Sequence, residues 1–119
     1  MDSNYRLAYV YMRDLFAGIL SETDSGYTFS YDENYLLDIN AKPISLTLPK
    51  QSDIYKSATL FPFFDGLIPE GWLLNEVINN WKLNSNDRFG ILLASCKDCI
   101  GSVSICEEKL WSIYIVGKN

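Results

Sequence analysis

The chain has 119 residues, with 10 basic and 15 acidic side chains, a formal net charge of −5 and no histidine. The length predicts a single domain over residues 1–119. The acidic balance argues against direct DNA or RNA binding, which needs a basic face to displace counterions, and against an anionic membrane surface.

The apolar share of 48% and charged share of 21% are those of an ordinary globular protein. Residues 1–6 lack the basic start and apolar run of a signal peptide, and no stretch approaches the ~18 apolar residues of a membrane span. The expected location is cytoplasmic, with reduced cysteines. Aromatic residues reach 14%. Not all of those rings fit inside so small a core, so some are expected on the surface as interface anchors.

In chain order, residues 5–12 are rich in Tyr and Val and predict a strand. Arg13 and Asp14 predict a turn. Residues 15–23 predict a second strand, with Gly18 marking a bulge or a close backbone approach. Asp24-Ser25-Gly26 is a turn signal. Residues 27–31 alternate aromatic and small polar side chains, the pattern of a half-buried strand. Residues 32–40 predict a short helical turn. Residues 44–48, between Pro43 and Pro49, alternate as a further strand, and 51–59 read as a polar loop. Phe61-Pro62-Phe63-Phe64 predicts a core plug. A helix is expected over 69–83, with Pro69 in its first turn, and another over 88–96, capped from within Asn84-Ser85-Asn86-Asp87. Strands over 101–106 and 110–116 close the chain. Strands followed by helices and a closing hairpin indicate an α+β fold.

The chemistry-bearing residues are sparse. Cys96 and Cys99 form a Cys-x-x-Cys pair that supplies two of the four ligands of a structural zinc site. Cys106 adds a third, and no histidine completes the set. The pair also follows its helix, whereas a redox pair needs a helix N-terminus. Reduced core cysteines are the favoured reading, and neither a metal nor a cofactor is assigned. Asp65, Glu70 and Asp98 lie near glycines. Acid–base work by a carboxylate pair stands against the simpler reading that they hold turn and helix-start geometry. No nucleophile accompanies them, so the simpler reading is favoured and no catalytic residue is assigned.

Trp72 is more informative. With Trp72 at zero on a helical wheel, Leu73, Leu74, Val77, Ile78 and Trp81 fall at about 100°, 200°, 140°, 240° and 180°. Their centre is almost opposite Trp72, whose wheel neighbours are Asn75, Glu76 and Asn79. Trp81 is therefore expected in the core and Trp72 on the polar face. An outward Trp is either a partner anchor or folds over a loop such as 51–59, and the residues alone leave both open.

Four separated motifs resemble one family. Phe61 to Gly71, including Phe63, Phe64, Asp65, Gly66, Pro69, Glu70 and Gly71, is similar to the Phe-Phe-Asp-Gly-Leu-Leu-Pro-Glu-Gly signature of the N-terminal subdomain of HipA-type serine/threonine kinase toxins. Pro43 to Pro49 is similar to that subdomain's Pro-Leu-Ser-Leu-Ser-Leu-Pro. Asp87 to Ala94, followed by Asp98-Cys99-Ile100-Gly101, matches its helix and Asp-Cys-Val-Gly strand. Gly18-Ile19-Leu20 matches its second strand. The resemblance covers about residues 5–105. It implies a small antiparallel, barrel-like sheet of about five to six strands with two main helices.

In full HipA chains the ATP site and catalytic residues lie beyond this subdomain, so the resemblance carries no activity to this sequence. A standalone subdomain resembles HipS, the small antitoxin of three-gene HipBST systems. That resemblance implies docking on a HipT-like serine/threonine kinase toxin, with a HipB-like DNA-binding protein as a further partner. It places the family's inhibitory aromatic at Trp72, with Glu70, Gly71, Asn75, Glu76 and Asn79 around it. A non-inhibitory scaffold that completes a kinase fold and a truncated HipA fragment are the alternatives.

Overall fold

The computed structural model describes residues 5–95 and 103–106. Strands β1 (Leu7–Met12) and β2 (Leu15–Thr23) pair antiparallel around Arg13 and Asp14, the predicted turn, where Arg13 takes a left-handed φ of 56°. Val10 pairs with Gly18 but Tyr11 pairs with Phe16, so Ala17 is an extra residue bulged into β2. A β-carbon on Gly18 would lie 2.2 Å from the Ser30 carbonyl oxygen of β3 (Gly26–Tyr31). Gly18 therefore serves both as part of a bulge and as a point of close backbone approach. The predicted meander is present.

Helix α1 (Glu33–Leu37) starts at Asp32, whose side chain accepts from the backbone N–H groups of Asn34 and Tyr35. After it, the structure departs from the sequence reading. Residues 44–48 are not a strand. Ser45 and Leu48 form an isolated bridge closed by a 3.1 Å bond from Leu48 N to Ser45 O, which makes a tight turn. Ile44 and Leu48 are buried, while Leu46 between them is 98% exposed. In a strand all three would share one face. The segment's backbone groups bond to a side chain instead of a neighbouring strand: the Tyr31 hydroxyl accepts from Ile44 N at 3.0 Å and donates to Leu48 O. The strand that does form is β4 (Tyr55–Ser57), inside the predicted polar loop, and it pairs with β3 from Tyr27 to Phe29. Its polar Lys56 suits an edge position.

Helix α2 (Pro62–Asp65) precedes α3 (Gly71–Trp81), α4 (Arg88–Ser95) and β5 (Val103–Cys106), which pairs antiparallel with β1. Among the described residues the strand order is β4-β3-β2-β1-β5, with β4 and β5 at its ends. This is a five-stranded antiparallel sheet with helices, an α+β fold. Helix α3 begins two residues later than predicted, because Glu70 is extended (φ −123°, ψ 169°) and Pro69 precedes it. The predicted strand over 110–116 and residues Cys96, Asp98, Cys99 and Gly101 lie outside the described residues.

The core sits between one sheet face and the helices. Phe29, Phe64 and Phe89 are fully buried, with Val10, Leu20, Ile91, Leu92 and Ile105. Phe64 enters from α2 and lies 5.5 Å from the Phe29 ring and 5.2 Å from Phe63. Each such ring contributes roughly 1.5–3 kcal/mol of burial, so the predicted Phe plug is a main support of the helical layer. The alternate residues Tyr9 and Tyr11 project to the opposite sheet face, where both rings lie within 6 Å of Phe16.

Candidate functional site

The segment from Pro69 to Trp81 holds the residues expected to meet a partner. Glu70 occupies the N-cap of α3 without a side-chain capping bond. Gly71 takes φ 67°, a left-handed value that a side chain resists, and nothing lies within 4 Å of where its β-carbon would be. This kink sets the direction of α3. At the other end Lys82 is left-handed (φ 53°), and Leu83 N donates to Ile78 O at 2.9 Å, closing the helix in the manner of a Schellman cap.

Helix α3 packs lightly. None of its residues is buried. Leu74, Val77 and Ile78 lie half-buried against the core. Trp72 is 74% exposed, on a strip with the exposed Asn75, Glu76 and Asn79. These four follow the i, i+3, i+4, i+7 spacing of one helix face, so the structure gathers them along one side of α3. Trp81, expected in the core, is 55% exposed. The wheel gives a residue's angle but not its axial reach. Trp81 has the wheel angle of the core side, yet it stands about 4.5 Å further along the helix axis than Ile78, the last half-buried residue of α3.

The Phe-Phe-Asp-Gly residues fasten α2 to α4, the helix on which α3 packs. Phe64 anchors α2. Asp65 Oδ1 accepts from Arg88 Nε at 2.8 Å, linking α2 to the first turn of α4. That bond is the main cause holding the Arg88 guanidinium above its ordinary pKa, with a smaller contribution from Glu70. Gly66 caps α2, its N–H bonding to Pro62 O at 2.9 Å. Asp65 thus takes part in joining α2 to α4. The outer strip offers an indole, two amides and a carboxylate. These groups suit hydrogen bonding and apolar contact with another surface. Among the described residues no group of three or more His, Cys, Asp or Glu side chains is arranged to hold a metal ion, and no helix is long and apolar enough to cross a membrane.

Sequence reasoning missed Arg6. Its guanidinium makes paired bonds to Glu22 (2.9 and 2.8 Å) and to Asp87 (3.0 and 2.8 Å), and lies 5.1 Å from the centre of the Phe89 ring. Asp87 Oδ1 also accepts from Gly90 N at 3.0 Å, capping α4. A β-carbon on Gly90 would sit 2.3 Å from Asp87 Oδ2, so the spacing from Asp87 to Gly90 is a steric requirement of this clasp. Nothing local marks Arg6, because its partners come from β2 and from the start of α4.

The family model described as the HipA N-terminal domain matches residues 8–106. The chain belongs to the HipA N-terminal domain family. A solved structure described as the N-terminal domain of HipA toxin superposes with a TM-score of 0.69 at 31% identity, covering 92% of this chain and 98% of that one. A protein of Haemophilus influenzae (strain Rd), described only as uncharacterized, is 36% identical over 100 residues, which is 84% of this chain and 91% of the relative. The chain is also 43% identical over 42 residues to the putative kinase Y4mE of Sinorhizobium fredii, spanning 35% of this chain and 10% of that protein. These matches relate the chain to the HipA N-terminal domain, and so to a domain found outside the kinase domain. In this HipA N-terminal domain the Pro-Glu-Gly motif is Pro69-Glu70-Gly71, the kink that starts α3.

Proposed function

We propose that this chain is a protein-binding module of the toxin–antitoxin class, which docks on a HipA-like serine/threonine kinase and neutralises it. The observation that carries the reading is Trp72: a tryptophan 74% exposed in the first turn of a helix, on one face with Asn75, Glu76 and Asn79, in a helix that packs on α4. A large, exposed indole beside hydrogen-bonding side chains has the character of an interface hot spot. The module acts without catalysis of its own. It occupies the position of the fused N-terminal domain, and Trp72 enters the kinase near its nucleotide site, with Glu70, Gly71, Asn75, Glu76 and Asn79 forming the surrounding rim. Binding shifts the kinase population toward an inert state. A HipB-like DNA-binding protein is the third component of the complex, and the site of action is the cytoplasm.

The test is a growth rescue. A HipA-type kinase lacking this domain is expressed in bacteria with and without this chain, and complexes are recovered by affinity tag. Rescue together with a complex is expected, and Trp72→Ala should abolish rescue. A complex that forms without rescue would replace inhibition by scaffolding. Rescue and complex formation that survive Trp72→Ala would remove Trp72 from the mechanism.

A further inference from the structure

We propose that the cleft between the β1–β2 turn and the loop at 40–43 is a second docking site, which takes an apolar side chain flanked by a carboxylate from a protein partner. The cleft holds about 560 Å3 and is walled by Met12, Leu15, Tyr35, Ala41 and Pro43. That volume is in the range of ligand clefts, one side stands open to an incoming chain, and no residue of α3 takes part. Leu15 is 47% exposed, and Ile39, adjoining the lining residue Asn40, is 93% exposed. Apolar side chains this open beside a concave, apolar wall mark an interaction surface.

Charge selects the occupant. Arg13 and Lys42 line the cleft, and neither side chain makes an ion pair among the described residues, whereas Arg6 and Arg88 are both paired. Asp14 is the one carboxylate in the lining. Asp38, earlier in the same loop, carries a further negative charge but does not line the cleft. Two cations against one anion leave a local positive excess on a chain whose net charge is −5. An incoming carboxylate completes that pairing, and the apolar walls take the side chain next to it.

The cleft is also preformed. Lys50 Nζ donates to the carbonyl oxygens of Asp38 and Ala41 at 2.8 and 2.9 Å, and the Tyr35 hydroxyl donates to that of Lys42. These bonds bolt the loop open without regular secondary structure, which lowers the ordering cost of binding.

The experiment titrates the full chain, 15N-labelled, with the blocked peptide Glu-Leu-Phe-Glu and with its amide counterpart Gln-Leu-Phe-Gln, following backbone amide signals by NMR. The acidic peptide is expected to produce saturable shifts at residues 12–15 and 40–43, and to bind roughly tenfold more tightly than the amide peptide, the size of one added favourable contact. The double variant Arg13→Gly, Lys42→Ser should erase that difference; glycine accepts the left-handed φ at position 13, and circular dichroism checks the fold. Equal binding of the two peptides, shifts confined to other residues, or no shift at all would overturn the proposal, and the peptide pair gives that answer without any variant.

Discussion

Arg6 and Asp87, 81 positions apart in the chain, meet through two hydrogen bonds of 3.0 and 2.8 Å, and through them the start of the sheet is fastened to the start of α4. The same guanidinium holds Glu22 on β2. Because α3 rests on the helical layer that α4 belongs to, the candidate docking strip depends on this clasp.

Arg6→Ala is expected to destabilise the protein by about 1–2 kcal/mol. Two paired carboxylates and a ring contact would suggest more, but the side chain is partly exposed and solvent screening discounts the pairs. Urea unfolding followed by circular dichroism measures the change. A midpoint equal to that of the unaltered protein would show that the clasp adds nothing.

The clasp also predicts acid sensitivity. Hydrogen bonds from Arg6 are the largest cause holding the carboxyl groups of Glu22 and Asp87 below their ordinary values. A carboxyl with a depressed folded-state pKa contributes stability above its unfolded pKa and loses it as pH falls through the folded value. The unfolding midpoint should therefore drop as pH is lowered from about 5, and drop less steeply in Arg6→Ala. Parallel curves for the two proteins would assign the acid loss to other groups.

Gly90→Ala tests whether Asp87 dictates the glycine. Alanine favours a helix interior over glycine by about 1 kcal/mol, so a stabilising effect is the naive expectation. The β-carbon would instead strike the Asp87 carboxylate, and the substitution should destabilise. In an Asp87→Ala background the same change should turn neutral or stabilising. A double-mutant cycle in urea reads this coupling.

Tyr31→Phe should cost about 1–3 kcal/mol, because it leaves Ile44 N and Leu48 O buried without their partner. Burial is the main cause that pushes the Tyr31 hydroxyl up to about 12. A raised folded-state pKa contributes stability that is present below the unfolded pKa and is lost as pH rises through the folded value. Alkaline destabilisation between about pH 10 and pH 12 should therefore be weaker in Tyr31→Phe.

Trp72→Ala should leave stability within about 0.5 kcal/mol of the unaltered protein, as for an exposed site, while Phe64→Ala should cost about 3–5 kcal/mol. The two thermal scans separate a residue kept for a partner from one kept for the fold. A large loss on Trp72→Ala would mean that its ring supports the helical layer.

The meander β1 to β3, the Phe61–Phe64 plug, the two longer helices and the polar setting of Trp72 were legible in the sequence by itself. Each is a local signal: a period of two or 3.6, a turn sequence, a run of aromatic residues. The tertiary structure alone decided the rest. The alternation over 44–48 reads as a strand, yet the Tyr31 hydroxyl bonds that segment into a turn. Trp81 has the wheel angle of a core residue but lies beyond the half-buried part of α3. Arg6 has no local signature, since its partners arrive from positions 22 and 87. Periodicity states which way a side chain points, but only the folded chain determines which donors and acceptors from distant positions come within 3 Å of each other.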